Sequence, residues 1–305
     1  MKKLFVLLAL PIILLSCEKE TTEPEFGMET TDSMESKGSK SKLYLDFEGL
    51  SPLGPDFRYE GWIIVNGAAV STGKFNITPS GVMAPNVFNV NADDLANAGT
   101  FVLTIEPQPD HDPAPASTHV LAGDFDGSSA SLTIGHGAAL GTEFSTSAGT
   151  YILATPTTSS MSDELSGIWF LDLASGSPAA GLDLPSLPDG WIYDGWAVIN
   201  GMPVTSGKFM DVDDFDLLDI FSSTENPGPP FPGEDYIMNA PNGLSFPTNL
   251  QGGVAVISVE PYPDNGSEPF AIKPLVGGIP ADAADHYNYT MGLNSASFPT
   301  GTAMR

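Results

Sequence analysis

Two lysines and two glutamates are the side chains best placed to do chemistry in a chain that is short of basic groups. Lys74 and Lys208 each sit in a Gly-Lys-Phe triplet, and Glu106 and Glu260 each precede a proline, in Ile105-Glu106-Pro107 and Val259-Glu260-Pro261. The formal net charge is −27, and beyond residue 42 the only basic side chains are Arg58, Lys74, Lys208, Lys273 and Arg305. A lysine kept twice in one setting therefore points either to a ligand-binding or catalytic ion pair, or to a structural pair tying one hairpin to its neighbouring sheet. The structural pair, Lys74 with Glu106 and Lys208 with Glu260, is the expectation. If such a pair is buried, losing one partner costs roughly 3–5 kcal/mol; if exposed, about 0–1 kcal/mol.

A second constellation is the acidic, Pro-rich run 211–235. It supplies Asp211, Asp213, Asp214, Asp216, Asp219 and Glu225, hard oxygen ligands of the kind calcium requires. It is not an EF-hand loop, since the sixth position from Asp211 is Asp216 rather than glycine and the twelfth is Ser222. The plainer reading is an amphipathic turn of helix with Phe215, Leu218 and Phe221 on one side. The turn Asp124-Phe125-Asp126-Gly127 is a weaker calcium candidate, because such sequences are commonest as plain turns.

Other searches exclude more than they suggest. His111, His119, His136 and His286 lack zinc spacing. No G-x-S-x-G, H-E-x-x-H or phosphate loop is present. The run Gly135-His-Gly137-Ala-Ala-Leu-Gly141 only approaches a dinucleotide fingerprint and lacks the helix that should follow. Nothing selects two carboxylates for glycoside hydrolysis. The expectation is a non-catalytic protein with no cofactor, calcium in the insertion being the alternative. So acidic a surface also repels phosphate backbones and anionic lipid, so no nucleic-acid partner is expected.

The elements that carry these residues come from a duplication. Residues 50–75 align with 184–209 at an offset of 134, with 11 identities in 26 positions, and 102–123 align with 256–277 at an offset of 154, with eight in 22. The 20-residue growth between blocks is accounted for by the 211–235 insertion. In each first block Tyr59/Tyr193 and Trp62/Trp196 bracket an apolar run that ends in Asn66-Gly67 or Asn200-Gly201, the sequence signature of a hairpin with a type I′ turn. The aromatics read as core or sheet-face residues, with a sugar-stacking platform as the alternative. Gly and Pro make up close to a fifth of the chain, among Val, Ile, Phe, Tyr and Trp runs without a long helical period. That composition predicts an all-β protein, and the duplication predicts two tandem antiparallel β-sandwich domains, 43–155 and 167–305, joined by a polar connector at 156–166. Further strands are expected at 43–47, 100–106, 118–122, 130–134, 150–154, 167–173, 253–260, 270–275 and in the terminal run 295–305.

Residues 1–17, MKKLFVLLALPIILLSC, combine two lysines, a 12-residue apolar run too short to span a bilayer, a small residue and the single cysteine. Leu14-Leu15-Ser16-Cys17 resembles the lipobox of bacterial lipoproteins, which implies cleavage before Cys17 and its lipidation. One cysteine excludes an intrachain disulfide. Residues 18–42 are polar and charged with little apolar bulk, and read as a disordered tether with a reach of roughly 25–30 Å.

The Leu- and Pro-punctuated lead-ins (Leu50, Leu53; Leu184-Pro185-Ser186-Leu187-Pro188), the Tyr-x-x-Trp, the Gly-Lys-Phe and the Glu-Pro triplets together resemble the extracytoplasmic C-terminal domain of anti-sigma-K factors, once per repeat. The resemblance implies a β-rich extracytoplasmic fold without known catalytic residues. The membrane-spanning helix and the cytoplasmic sigma-binding domain of that family have no counterpart in the residues that match, so direct sigma-factor binding is not implied. The expectation is a lipid-anchored protein of the bacterial cell envelope, at the outer membrane on its periplasmic or outer face, with a binding, sensing or scaffolding role and an envelope protein as partner. The alternative is a surface carbohydrate-binding or adhesive lipoprotein, with calcium as its stabiliser.

Overall fold

In the computed structural model the described residues are 38–305 except 264 and 265. The expected signal peptide, the lipidated Cys17 and the tether up to residue 37 lie outside them. Among the described residues the fold is all-β, with antiparallel pairing throughout, one short α-helix and two single turns of 3-10 helix. Among the described residues no helix is long and apolar enough to cross a membrane.

The first repeat runs β1 (Lys40–Glu48), β2 (Phe57–Val65), β3 (Ala68–Ile77), β4 (Met83–Ala84), β5 (Val87–Asn91), α1 (Ala92–Asn97), β6 (Ala98–Pro107), β7 (His119–Asp124), β8 (Ser129–Leu132) and β9 (Ala148–Leu153). The second runs β10 (Gly167–Trp169), β11 (Leu171–Asp172), β12 (Ala179–Ala180), β13 (Leu182–Asp183), β14 (Trp191–Ile199), β15 (Met202–Phe209), β16 (Gly233–Asp235), β17 (Val254–Pro261), β18 (Leu275–Gly278), β19 (Tyr289–Leu293) and β20 (Thr300–Met304).

The duplicated words form the same three-strand unit twice. β2 pairs with β3 and with β6, and β14 pairs with β15 and with β17. The turns are as the Asn-Gly pairs dictate: Asn66 and Asn200 have φ of 51° and 53°, and the following glycines 81° and 82°. Each hairpin breaks register before its tryptophan, where Thr72 or Ser206 is the extra residue of a β-bulge and its side chain is buried. Both units bury most of β2 and β14, so their runs read as continuous apolar rather than alternating.

The expected boundary between the repeats is crossed by strands in both directions. β9, from the end of the first repeat, lies between β19 and β10 in the second repeat's sheet and also pairs with β13. β20, the last strand of the chain, inserts between β1 and β8 of the first. One apolar core runs from Leu43 to Ala303, and residues Gly38–Arg305 form a single compact unit. The sequence divides at 156–166 because that stretch is polar, but its hydroxyls are consumed by local and insertion contacts: Thr157 donates from both its amide and its hydroxyl to Asp235 Oδ2, and Ser159 N–H donates to Glu225 Oε2 at 2.8 Å.

Two smaller boundaries also move. β1 begins at Lys40, inside the expected tether, because Lys40, Ser41 and Lys42 join the ladder with Asn91, Val90 and Asn89 through backbone while their side chains stay exposed. The strand expected at 270–275 starts only at Leu275, since Phe270 N–H is taken by the Glu260 carboxylate and Pro274 has no donor for a ladder.

Candidate functional site

Each repeat holds a buried polar chain built on its tryptophan. Trp62 Nε1 donates to Thr104 Oγ1 at 2.9 Å, and that hydroxyl donates to Glu106 Oε1; Trp196 Nε1 donates to Ser258 Oγ at 2.7 Å, and that hydroxyl donates to Glu260 Oε1. The glutamates then accept an amide from the Pro-rich loop that follows, Ala116 N–H or Phe270 N–H, both at 2.9 Å. Tyr59 and Tyr193 close the other side by donating to Ser51 and Pro185 carbonyls in the lead-ins, at 2.9 and 2.7 Å. These are the devices by which each unit pins its loops. With Trp62 and Trp196 only 3% and 2% exposed, the sugar-stacking platform that rested on them does not exist at these positions.

Lys74 is paired differently from the expectation. Its Nζ lies 2.8 Å from Asp110 Oδ2 and 3.4 Å from Glu60 Oε2, and Glu106 is not its partner. Lys208 Nζ lies 3.1 Å from Asp194 Oδ2, the counterpart of Glu60. The reason is pleat geometry: Glu60 is cross-strand from Lys74 and Asp194 from Lys208, so their side chains leave the same sheet face side by side. Burial opposes the charge on Lys74, and the bond to Asp110 with the field of Glu60 overcomes it, raising its pKa. Glu106 is raised chiefly by burial, with the charges of Glu60 and Asp110 adding to it. Glu60, Glu106 and Asp110 are the one group of three metal-ligating side chains that converge among the described residues, with ligand atoms within 4.8 Å of one another. The Lys74 ammonium already supplies the cation there. The signal for these partners was in the sequence, since Glu60/Asp194 and Asp110/Asp264 are acidic at matching positions of both repeats; Asp264 lies outside the described residues.

The insertion is not helical, and among the described residues its carboxylates form no converging ligand group. Asp211, Asp213, Asp214, Asp216 and Asp219 do not converge on a point, and the segment is a series of turns. Asp214 takes the amide of Phe215 at 2.8 Å. Asp211, Asp213 and Asp219 are exposed. Asp216 turns inward, accepting Leu218 N–H at 2.8 Å and Gly233 N–H at 2.9 Å. It fits under Gly207, whose φ of 116° and lack of a side chain leave the room that a Cβ would take from the Asp216 carboxylate. In the first repeat the matching Gly73 faces Phe88 instead.

The far end of the insertion is core. β16 pairs with β10, and Glu234 and Asp235 are fully buried. Glu234 Oε1 accepts the Ser222 hydroxyl, while its Oε2 is buried without a hydrogen bond. Asp235 Oδ1 accepts Trp169 Nε1 at 2.8 Å. Burial pushes Glu234 up to about 8 and Asp216 up to about 7, the Asp216 charge contributing to the first and the Asp194 charge to the second; burial also raises Asp235. Gly228 and Gly233 lie so close on the Trp169 ring that neither could carry a Cβ without movement. The insertion is thus rooted at both ends, through Asp216 and through Trp169.

Around the first root it presents apolar side chains to solvent. Phe215 is 56% exposed, Leu217 64% and Ile220 49%, and Met210, the residue before the insertion, is 61% exposed. Phe215 and Leu217 stand at the rim of a cleft of about 670 Å³ whose walls include Trp169, Phe231, Asp216, Asp219 and Glu225. The first repeat has no counterpart to this segment, because it has no insertion. Scans of protein-family models, of curated proteins and of solved structures found no match to this chain.

Proposed function

We propose that this chain is a non-catalytic, lipid-anchored protein of the bacterial cell envelope that binds a partner protein through the insertion of its second repeat, in a sensing or scaffolding role. The anchor rests on the lipobox-like Leu14-Leu15-Ser16-Cys17, and the role is the one implied by the resemblance to the extracytoplasmic domain of anti-sigma-K factors. The observation that carries the reading is the set of exposed Phe215, Leu217 and Ile220 on a segment found in one repeat only and held by polar contacts at both ends. Large apolar side chains clustered in solvent on a rooted loop are what an interaction site presents, whereas a plain connecting loop is polar.

Deleting 211–235 would not test this, since Phe221, Ser222, Phe231, Glu234 and Asp235 belong to the core. The informative variant is Phe215→Ser/Leu217→Ser/Ile220→Ser, which changes exposed positions alone. Full-length protein used as bait in solubilised envelope should recover one protein near stoichiometry, and the triple variant should lose it with an unchanged melting temperature. The same recovery by both proteins would contradict the proposal.

A further inference from the structure

We infer that the partner segment docked on the insertion is cationic and apolar, an extended or turn-rich peptide in which Arg or Lys alternates with Leu, Phe or similar side chains. The inference rests on the reading of the insertion as a docking element and assigns the chemistry of what it takes.

Residues 211–235 contain eight carboxylates and no lysine, arginine or histidine. The titratable groups lining the cleft, Asp216, Asp219 and Glu225, are all acidic. Asp211, Asp213 and Asp219 are exposed and make no side-chain hydrogen bond or ion pair among the described residues, so their charge is available to a ligand. Phe215 and Leu217 line the cleft together with Asp219, and Asp211 and Asp213 stand two to six residues before them in the chain, which sets apolar anchors and carboxylates a few residues apart along one segment. Complementary charge of this kind steers encounter and selects partners, while apolar anchors entering a cleft supply the affinity. A second copy of this chain, an anionic lipid or a polyphosphate would carry the same sign of charge to the site and be repelled. A metal ion alone would leave the apolar rim unused and would find no converging ligand set in the insertion.

The test is fluorescence anisotropy of three labelled twelve-residue peptides against the full chain: alternating Arg-Leu, alternating Glu-Leu and alternating Arg-Ser. The Arg-Leu peptide should bind, at least tenfold more tightly than either of the others. Its affinity should fall at least tenfold in Phe215→Ser/Leu217→Ser and severalfold in Asp213→Asn/Asp219→Asn, and it should weaken as salt is raised to 0.5 M. Glu-Leu binding that is lost in Phe215→Ser/Leu217→Ser would overturn the cationic assignment and leave the insertion as the docking element. Arg-Leu binding that is equal in wild type and in Phe215→Ser/Leu217→Ser would be attraction to the general charge of the chain and would overturn both. No binding of any peptide would overturn the assignment as well. Thermal melts of both variants report that the fold is kept.

Discussion

At the residue scale, Glu106 receives the buried Thr104 hydroxyl and the half-buried Ala116 amide, so an alanine there would strand one donor in the core and one at its edge. A buried donor left unsatisfied costs about 1–3 kcal/mol. Glu106→Ala should therefore destabilise by roughly 3 kcal/mol in urea unfolding, while Glu106→Gln, which keeps an acceptor for the loop amide, should cost about half as much or less. Equal losses for the two would mean that the carboxylate acts through its charge rather than its hydrogen bonds. The importance of Glu106 and Glu260 was legible from their duplication, and so was that of Lys74 and Lys208. Who pairs with whom was not, because the partner of a strand lysine is chosen by cross-strand register. Glu60 and Asp194, sitting between tyrosine and glycine in each copy, carried the answer as a shared acidic position.

The element scale belongs to the insertion, where carboxylates are buried in a cluster that shares little positive charge. Asp216 and Glu234 hold their protons in the native state up to about pH 7 and 8, with Asp194, Lys208 and Tyr236 packed nearby. In the unfolded chain both would ionise at the ordinary carboxylate range near 4. Between about pH 4 and 8 the native state therefore binds more protons than the unfolded one, and stability falls as pH rises, levelling above about pH 8. Asp110 and Asp124, whose pKa values are lowered chiefly by their bonds to Lys74 and Thr100, contribute the opposite slope, felt only below about pH 4. The melting temperature should decline from pH 5 to pH 8, and Glu234→Gln should flatten that decline. A melting temperature that climbs over this range, or a decline untouched by Glu234→Gln, would refute the account of the cluster. Sequence could locate the insertion through the offset change and could see its acidity. It could not see that Asp216 fits beneath Gly207, or that Trp169 clasps the return strand, since both depend on contacts across 9 to 66 residues of chain.

For the molecule as a whole, strand exchange between the repeats is the feature that local sequence signals do not carry. Periodicity and turn residues identify the strands β1, β9 and β20, and nothing in them states which sheet each one joins. That β20 completes the sheet of β1 makes the two ends of residues 38–305 mutually dependent, and Arg305 adds bonds of 2.7 and 2.8 Å to the carbonyls of Leu95 and Ala98. Unfolding should accordingly give one calorimetric transition rather than two, and removal of residues 300–305 should unfold or strongly destabilise both repeats together. Two separated transitions would mean that each repeat is stable by itself.

The central claim, that the insertion is the face this protein turns to a partner, is tested most directly by photocrosslinking in living cells. A photoreactive phenylalanine analogue would replace Leu217, 64% exposed on the insertion, or Val82, 57% exposed on the first repeat. The account predicts one discrete adduct from position 217 and none from position 82. Adducts from both positions, or from 82 alone, would contradict it.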